Sequence, residues 1–358
     1  MKYPNILFGQ QDYVARGIAY LSRISPDCHP VLFACKLDTE KPDRSVFDLD
    51  EIKAGLAQYS RNDVIWVFFS AKYRNRIREL LAAMGFSQLI FYDAALDNKL
   101  KKQYFQEQFA EQSKEFQVVY DLPAQHESMQ ETVEVYMAKC VVDKPIQGYP
   151  KTLSRYIIPI QVGTALTDER ISTVNDAEGD NISERNRRYS EMTAFYWMWK
   201  NAKSDYLGIC HYRRLWVDLD KIVEKLRTTD VDAILPLPTL AEHSVFDDYL
   251  LKHIPDVWRP MMDVLQQKSP DYYEAAQSIF KGNIFYASNM CILRRDVLND
   301  LCEWMFPIVM EVEKRVGDLP DTYYNRYAGF CTERLITLYF LYNKQHWDIA
   351  HAEKVFLS

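Results

Sequence analysis

Residues 204–216 read SDYLGICHYRRLW and place a charged cluster directly after an apolar run. The run at 207–210 is short and uninterrupted, which predicts a strand buried on both faces. His211, Arg213 and Arg214 follow at once. Because burying a cation is unfavourable without a partner, either the strand reaches the surface there or an anionic group binds beside it.

The composition is that of a soluble globular protein long enough for two domains. The 358 residues are 48% hydrophobic and 26% charged, with a formal net charge of −7. An acidic chain argues against general nucleic-acid binding but not against a local phosphate-binding cluster. The N-terminus lacks the features of a signal peptide, no apolar run is as long as a membrane helix, and the seven cysteines form no C-x-x-C pair. These features predict a cytoplasmic protein with reduced thiols.

Residues 1–95 alternate between predicted strands and predicted helices. The strands are expected at 5–8, 30–35, 63–70 and 88–93, and the helices at 12–23, 48–59 and 73–84. This alternation predicts a small, parallel, Rossmann-like α/β domain. A turn is expected at Gly9, where dinucleotide-binding folds carry G-x-G-x-x-G, but the second and third glycines are absent. We therefore expect a scaffold or interaction domain without NAD.

Residues 96–131 are polar and charged, which predicts a solvated helical connector, and residues 132–358 form a second domain. Its strands are expected at 133–142, 155–163, 205–210, 232–238 and 289–295, and its helices at 187–201, 218–228, 256–267, 296–315 and 332–343. This pattern predicts a mixed sheet flanked by helices. In such folds ligands bind beyond the carboxyl ends of strands, which is where His211, Arg213 and Arg214 are expected.

The HYRR stretch suits a phosphate group. A guanidinium can hold phosphate with two hydrogen bonds, and a histidine can donate or transfer a proton. On a strand Arg213 and Arg214 would face opposite sides, so one would contact the ligand while the other pairs with a carboxylate. Structural ion pairs are the alternative interpretation.

Two further stretches could contribute to a site. A turn-rich loop carrying Asp180, Asn181 and Ser183 precedes an apolar helix, and helix starts favour anions; a capped core helix is the alternative. Near the C-terminus Thr332 is predicted to cap a helix. The helix dipole would then depress the pKa of Glu333, a candidate base for a sugar hydroxyl or a carboxylate with no chemical role.

The metal-binding potential is poorly defined. Asp230 and Asp232 imitate the D-x-D motif that holds a divalent cation on nucleotide sugars, but they precede a strand instead of ending one. No clear site for Mn²⁺ or Mg²⁺ follows, and no other cofactor is indicated.

Four blocks together resemble a bacterial capsular and exopolysaccharide glycosyltransferase family that was long catalogued as a domain of unknown function. They are DNISERNRRYSEMTAFYWMWKN (180–201), DYLGICHYRRLW (205–216), SNMCILRRDVLNDLCEWMFPI (288–308) and GFCTERLITLYFL (329–341). The likeness covers about residues 133–355. Two departures are Lys139-Cys140, where the family has His-Lys, and Cys291, where an aromatic residue is common.

The resemblance implies a GT-A-like nucleotide-sugar transferase fold. It implies transfer of a hexose, galactose or galactofuranose among the candidates, from a UDP-linked donor to a growing capsular, exopolysaccharide or lipopolysaccharide glycan. The acceptor would be a glycan or a lipid-linked glycan, with peripheral association at the inner face of the membrane. The sequence does not indicate the oligomeric state.

The resemblance also implies roles for individual residues. Glu333 would be the catalytic base, and His211 would act at the reaction centre. The HYRR cations would neutralise the leaving diphosphate where other enzymes use Mn²⁺ or Mg²⁺. Donor contacts are expected from Asp180, Asn181, Ser183, Asn186, Lys200, His211, Arg213, Arg214, Asn289 and Arg334.

Two other functions fit the sequence. One is a non-catalytic nucleotide-sugar-binding or assembly protein. The other is an NAD-dependent sugar-modifying enzyme that uses the N-terminal fold, against which the missing glycines argue.

Overall fold

The computed structural model describes residues 2–35, 49–69, 71–111, 115–146, 149–241 and 243–357. The chain divides into two compact units, Met1–Glu115 and Phe116–Ser358. Both combine strands and helices, which confirms the predicted α/β class. Within the described ranges, no helix is both long and apolar enough to cross a membrane.

The first unit is a parallel four-stranded sheet with helices. Its strands are β1 (Ile6–Gln10), β2 (Val31–Cys35), β3 (Ile65–Phe68) and β4 (Leu89–Phe91), in the order β2-β1-β3-β4. Its helices are α1 (Gln11–Ile24), α2 (Leu49–Leu56), α3 (Ala71–Ala83) and α4 (Ala94–Ala110). The Rossmann-like order of strands and helices is therefore present.

Gly9 lies inside β1 and not in a turn after it, so the expectation of a turn at this glycine is wrong. A Cβ atom at Gly9 would come 2.1 Å from the carbonyl oxygen of Phe68 on the neighbouring β3. The close approach of two strands therefore requires this glycine, and no phosphate-binding role is needed to explain it.

Helix α4 lies where we expected a solvated connector. Asp93 caps the start of the helix by accepting the N–H of Leu96 at 2.9 Å, and the helix packs on α1. Leu100 and Phe105 are fully buried, although most of their helical neighbours are polar. The polar composition concealed these anchors, and the compact unit extends to Glu115.

The second unit is larger. Its strands are β5 (Val133–Lys139), β6 (Ile157–Gln161), β7 (Val174–Asn175), β8 (Tyr206–His211), β9 (Arg214–Trp216), β10 (Ala233–Pro236), β11 (Thr239–Leu240), β12 (Ile284–Phe285), β13 (Cys291–Arg294), β14 (Ile349–Ala352) and β15 (Lys354–Phe356). Its helices are α5 (Asn186–Tyr189), α6 (Met192–Asn201), α7 (Leu219–Leu226), α8 (Val245–Lys252), α9 (Pro255–Lys268), α10 (Pro270–Ile279), α11 (Arg295–Val316) and α12 (Tyr327–Tyr342).

These strands form a mixed sheet in the order β14-β10-β13-β8-β5-β6-β7, in which β13 runs antiparallel to its neighbours. Strand β9 pairs with β8 and β15, and β11 pairs with β12. Strand β8 lies in the middle and is buried along its length, as the apolar run predicted. Its residue Ile209 faces the core built with α6, α9, α11 and α12, while Cys210 faces the core built with α7.

Two helices begin differently from the predictions. The helix expected at 187–201 is interrupted at Ser190, and the helix expected from Thr332 already begins at Tyr327. Both differences shape the site described next.

Candidate functional site

A cavity of about 190 Å³ opens at the carboxyl end of β8. It is lined by Ser190, Glu191, His211, Arg214, Ser288, Tyr323, Arg326, Gly329, Phe330 and Glu333. A larger and more open depression of about 490 Å³ includes Asp205 and Arg294, at the opposite end of β8. Its Arg294 is already paired with Asp232 and Asp296, so we place the functional site at the smaller cavity.

Backbone strain concentrates around this cavity. Among the described residues, the non-glycine residues with positive φ are Ser190 (51°), Asp218 (48°), Ser288 (85°) and Asn289 (49°). Two of them line the cavity, and Asn289 is next to Ser288. Such conformations persist only where the surroundings hold them, and they are frequent at functional sites.

Ser190 separates α5 from α6 and thereby directs Glu191 into the cavity. The side-chain amide of Asn186 donates to the Ser190 carbonyl oxygen at 2.8 Å, which fixes the break. On the opposite side Arg326 Nε donates to Ser190 Oγ at 2.8 Å. The interruption of the predicted helix is therefore a structured part of the site.

Ser288 connects two of the predicted site residues. Its backbone N–H donates to Glu333 Oε1 at 2.6 Å, and its carbonyl oxygen lies 2.7 Å from His211 Nε2. Because a carbonyl oxygen only accepts, Nε2 of His211 carries the proton. The neutral ring then keeps the lone pair of Nδ1 as an acceptor.

Asn289 holds Glu191 from behind the cavity. Its side-chain amide donates to Glu191 Oε1 at 2.8 Å and to the carbonyl oxygen of Gly329 at 3.1 Å. Its own side-chain oxygen accepts the Thr332 hydroxyl at 3.1 Å. Asn289 is 1% exposed and does not line the cavity, so its role here is to orient the carboxylate.

Glu333 lies in the second turn of α12, so the prediction of a capped first-turn carboxylate is wrong. Burial raises the pKa of Glu333, although Arg334 and the Ser288 N–H oppose the shift. The expected depression of this pKa is therefore wrong too, because desolvation outweighs the stabilising contacts. A carboxylate with a raised pKa is better suited to accept a proton near neutral pH.

Arg334 holds Glu333 in place. It is 1% exposed, and its guanidinium donates to Glu333 Oε2 at 2.9 Å and to Asp248 Oδ2 at 3.0 Å. Arg334 does not line the cavity. Arg334 thus neutralises the buried carboxylates of Glu333 and Asp248 and does not reach the cavity where a ligand would bind.

His211 and Glu191 interact electrostatically beside Glu333. Burial lowers the pKa of His211, with Glu191 acting against the shift, so the ring is neutral at neutral pH. Burial favours a higher pKa for Glu191, but His211, the Asn289 amide and Arg326 hold it below its ordinary value. At neutral pH the cavity therefore contains an ionised Glu191 next to an uncharged imidazole.

The positive charge in the cavity comes from Arg214 and Arg326. Within the described part of the chain neither arginine forms an ion pair with a carboxylate. Arg214 lies over the ring of Phe356 at 5.3 Å. Arg213 lies over Tyr212 at 5.6 Å and over Phe356 at 6.0 Å, and it does not line the cavity. The cavity thus presents two arginines that can bind an anion.

The other expected donor contacts do not line the cavity. Ser183 is buried, and its hydroxyl donates to Asp176 Oδ1 at 2.5 Å. Asn181 donates to the carbonyl oxygens of Ala177 and Gly179, at 3.0 and 2.8 Å. These contacts, like that of Asn186, organise the loop before α6.

Asp180 and Lys200 lie at the outer side of the same loop and helix. The Asp180 carboxylate accepts the Tyr196 hydroxyl at 3.2 Å, and the Lys200 ammonium lies 3.4 Å from the centroid of the Trp199 ring. The helix start that we expected to bind an anion is thus occupied by contacts within the chain.

The D-x-D-like stretch at Asp230–Asp232 also makes contacts within the chain. Asp232 pairs with Arg294 and accepts the backbone N–H of Asp348 at 2.8 Å. In the described ranges no three His, Cys, Asp or Glu side chains come together as ligands for a metal ion. These residues do not fit a divalent-cation site.

Several cavity residues were not predicted from the sequence as site residues: Ser190, Ser288, Tyr323, Arg326 and Phe330. Ser190, Ser288 and Phe330 lie inside three of the four sequence blocks, so the blocks themselves could have indicated them. Tyr323 and Arg326 lie in the turn and the short 3₁₀ segment just before α12.

Comparisons with known proteins agree with this architecture. The family described as a domain of unknown function (DUF4422) matches residues 140–345. No curated protein matches the chain. A solved apo structure of the WbbM bifunctional glycosyltransferase is similar in fold, with a TM-score of 0.56 and 24% sequence identity. The match covers 63% of this chain and 45% of that one, so the chain spans less than half of the similar protein.

Proposed function

The chain belongs to the DUF4422 family of domains of unknown function, and we propose that it is a glycosyltransferase. It would transfer a hexosyl group from a nucleoside-diphosphate sugar to a glycan acceptor. The observation that carries the proposal is the cavity at the end of β8. It combines the buried carboxylate of Glu333 with two arginines, Arg214 and Arg326, that form no ion pair with a carboxylate among the described residues. The fold likeness to a glycosyltransferase supports it.

The arginines suit the donor diphosphate. Arg214 and Arg326 can each present a planar set of donors to phosphate oxygens, and guanidinium groups bind such oxygens strongly. Negative charge grows on the diphosphate as the sugar leaves. Fixed positive charges at that position would stabilise the transition state more than the ground state.

Glu333 suits the acceptor hydroxyl. In the proposed step the hydroxyl oxygen forms a bond to the anomeric carbon while the bond from that carbon to the diphosphate breaks. The hydroxyl proton passes to the Glu333 carboxylate, and the electron pair of the broken bond leaves with the nucleoside diphosphate. Displacement from the opposite side of the sugar would invert the anomeric configuration.

The neighbouring groups would assist this step. His211 has an uncharged imidazole whose Nδ1 can accept a hydrogen bond, so it would orient a donor or acceptor hydroxyl. Glu191 would keep the ring in place through its charge, with Asn289 as its hydrogen-bond donor.

The identity of the donor and of the acceptor is proposed from the resemblance of the four sequence blocks. We propose a UDP-linked hexose donor, with galactose or galactofuranose as first candidates. The acceptor would be a capsular, exopolysaccharide or lipopolysaccharide glycan, free or lipid-linked. A lipid-linked acceptor would bring the protein to the inner face of the membrane as a peripheral protein.

The test is the release of nucleoside diphosphate by the purified chain from UDP-, GDP-, CDP- and dTDP-linked hexoses. Each donor is assayed with and without alkyl galactosides as acceptors, with Mn²⁺ and with EDTA in parallel. The proposal predicts release from one nucleotide class that increases with the acceptor. No release from any donor under either condition would refute it.

A further inference from the structure

The C-terminal strand β15 lies outside residues 140–345 and yet reaches the site. It pairs antiparallel with β9, with Phe356 opposite Arg214 and Lys354 opposite Trp216. Because alternate residues of a strand share a face, Lys354 and Phe356 point the same way. Phe356 lies under the guanidinium of Arg214, so this face of β15 is directed at the cavity residues.

Lys354 contacts the strained turn before β13. Its ammonium donates to the carbonyl oxygen of Ala287 at 2.8 Å and to the hydroxyl of Ser288 at 3.1 Å. Lys354 itself does not line the cavity. It therefore acts on the site through the turn and not by touching a ligand.

The turn that Lys354 holds controls two candidate catalytic groups at once. The amide of Ser288 donates to Glu333, and its carbonyl oxygen accepts from His211. Both contacts depend on the orientation of the Ser288 peptide groups, which is set by its left-handed conformation at φ 85°. A non-glycine residue keeps that conformation only where its surroundings fix it.

We propose that Lys354 is a positioning residue that fixes the Ala287–Ser288 turn and, through it, the placement of His211 and Glu333. The effect on turnover rests on the proposed function. The effect on the placement of His211 does not, because it follows from the contacts alone.

The charge of Lys354 provides a readout that a merely structural role would not change. The pKa of His211 depends on its burial, on the charges of Glu191, Arg214 and Lys354, and on its hydrogen bond to the Ser288 carbonyl oxygen. Among these, the positive charge of Lys354 lowers the pKa. The pKa of Glu333 depends on its burial, on the charges of Arg334, Glu191 and Lys354, and on the hydrogen bond from the Ser288 amide. The positive charge of Lys354 lowers this pKa as well. Removing this charge should therefore raise both pKa values.

The first experiment follows the imidazole signals of His211 by ¹H–¹⁵N NMR as a function of pH, with assignment from a His211→Gln variant. The variants are Lys354→Met, Lys354→Arg and the control Lys203→Met, which alters an exposed lysine of the same unit. In Lys354→Met the titration of His211 should move to higher pH and its Nε2 proton should exchange faster. Lys354→Arg and Lys203→Met should stay close to wild type.

The proposal is overturned by a His211 titration and an Nε2 exchange rate that are unchanged in Lys354→Met. If Lys354→Met does not fold, Lys354→Ala, which also removes both the donor and the charge, takes its place under the same criteria.

The second experiment measures turnover. Lys354→Met should lower kcat about tenfold to a hundredfold, because misplaced catalytic groups lose rate, while KM for the donor changes little. The acid limb of its pH profile should move to higher pH, since the base must lose its proton at a raised pKa. A wild-type chain without turnover would refute the proposed function, whereas the NMR result would still decide the role of Lys354.

Discussion

The backbone N–H of Ser288 donates to the carboxylate of Glu333 across 2.6 Å, from a residue held at φ 85°. The same residue accepts a hydrogen bond from His211. One short turn between β12 and β13 thus contacts both Glu333 on α12 and His211 on β8, and it helps to set the positions of these two side chains.

Glu333→Gln should slow transfer strongly while leaving donor binding intact. Glutamine still accepts the Ser288 N–H but cannot take a proton, so kcat should fall by about 10²–10⁴-fold, the usual contribution of a general base. The measurement is kcat by nucleotide release, together with Kd for the nucleoside diphosphate. Glu274→Gln, on the exposed side of α10, is the matched control and should behave as wild type. A Glu333→Gln chain with full kcat would remove this residue from the role of base.

Arg214→Ala and Arg326→Ala should each weaken the binding of a nucleoside diphosphate. A hydrogen bond to a charged group contributes about 1.5–3 kcal/mol, which corresponds to roughly a tenfold to hundredfold increase in Kd. The exposed Arg259→Ala is the control. Arg213→Ala should weaken binding less than Arg214→Ala, because Arg213 lies over Tyr212 and outside the cavity. Equal losses for Arg213 and Arg214 would contradict this geometry.

His351 should make the second unit sensitive to acid. Its Nδ1 donates to the Gln117 carbonyl oxygen, its Nε2 accepts the Tyr286 hydroxyl, and both distances are 3.0 Å. Burial lowers the pKa of His351 to about 4. The folded protein then binds fewer protons than the unfolded chain between about pH 6.5 and pH 4, so stability falls as the pH drops through this window.

The contribution of His351 to the free energy of unfolding can be measured by urea unfolding at pH 7.5 and pH 4.5. Over that interval wild type should lose about 2–3 kcal/mol more free energy of unfolding than His351→Gln, which cannot gain the proton. His346→Gln, at an exposed histidine, should lose as much as wild type. If the loss is the same in wild type and His351→Gln, His351 is not the titrating group.

Gly9→Ala should destabilise the first unit without affecting nucleotide binding. The new Cβ would lie 2.1 Å from the Phe68 carbonyl oxygen, so the paired strands must move apart. Overpacking of this kind typically costs about 1–3 kcal/mol. Thermal unfolding and the Kd for the nucleoside diphosphate measure the two properties separately. A weaker Kd with unchanged unfolding would instead indicate a ligand role for Gly9.

Much of the fold could be predicted from the sequence because apolar runs determine buried strands. The run before His211 predicted the central strand β8, and the alternation in the first hundred residues predicted a parallel sheet. Polar composition misled the interpretation of α4, whose few buried anchors are dispersed among charged residues. Strand β15 was missed because three residues with a lysine give no apolar signal of their own.

The site was only partly predictable. A strand end pointed to His211 and Arg214, and both line the cavity. The pKa of Glu333 could not be predicted, because it depends on where α12 begins and how deeply the carboxylate is buried. Arg326 and Ser288 come from turns whose position follows from tertiary contacts and not from a local pattern.

The donor site is tested most directly by a calorimetric titration of the wild-type chain with UDP, GDP, CDP and dTDP, in parallel with Arg214→Ala and Arg259→Ala. A donor site lined by Arg214 predicts that one of these nucleotides binds wild type and Arg259→Ala with similar Kd, and binds Arg214→Ala roughly tenfold to a hundredfold more weakly. Binding that is unaffected by Arg214→Ala, or no binding of any nucleotide with or without Mn²⁺, would contradict a donor site at the carboxyl end of β8.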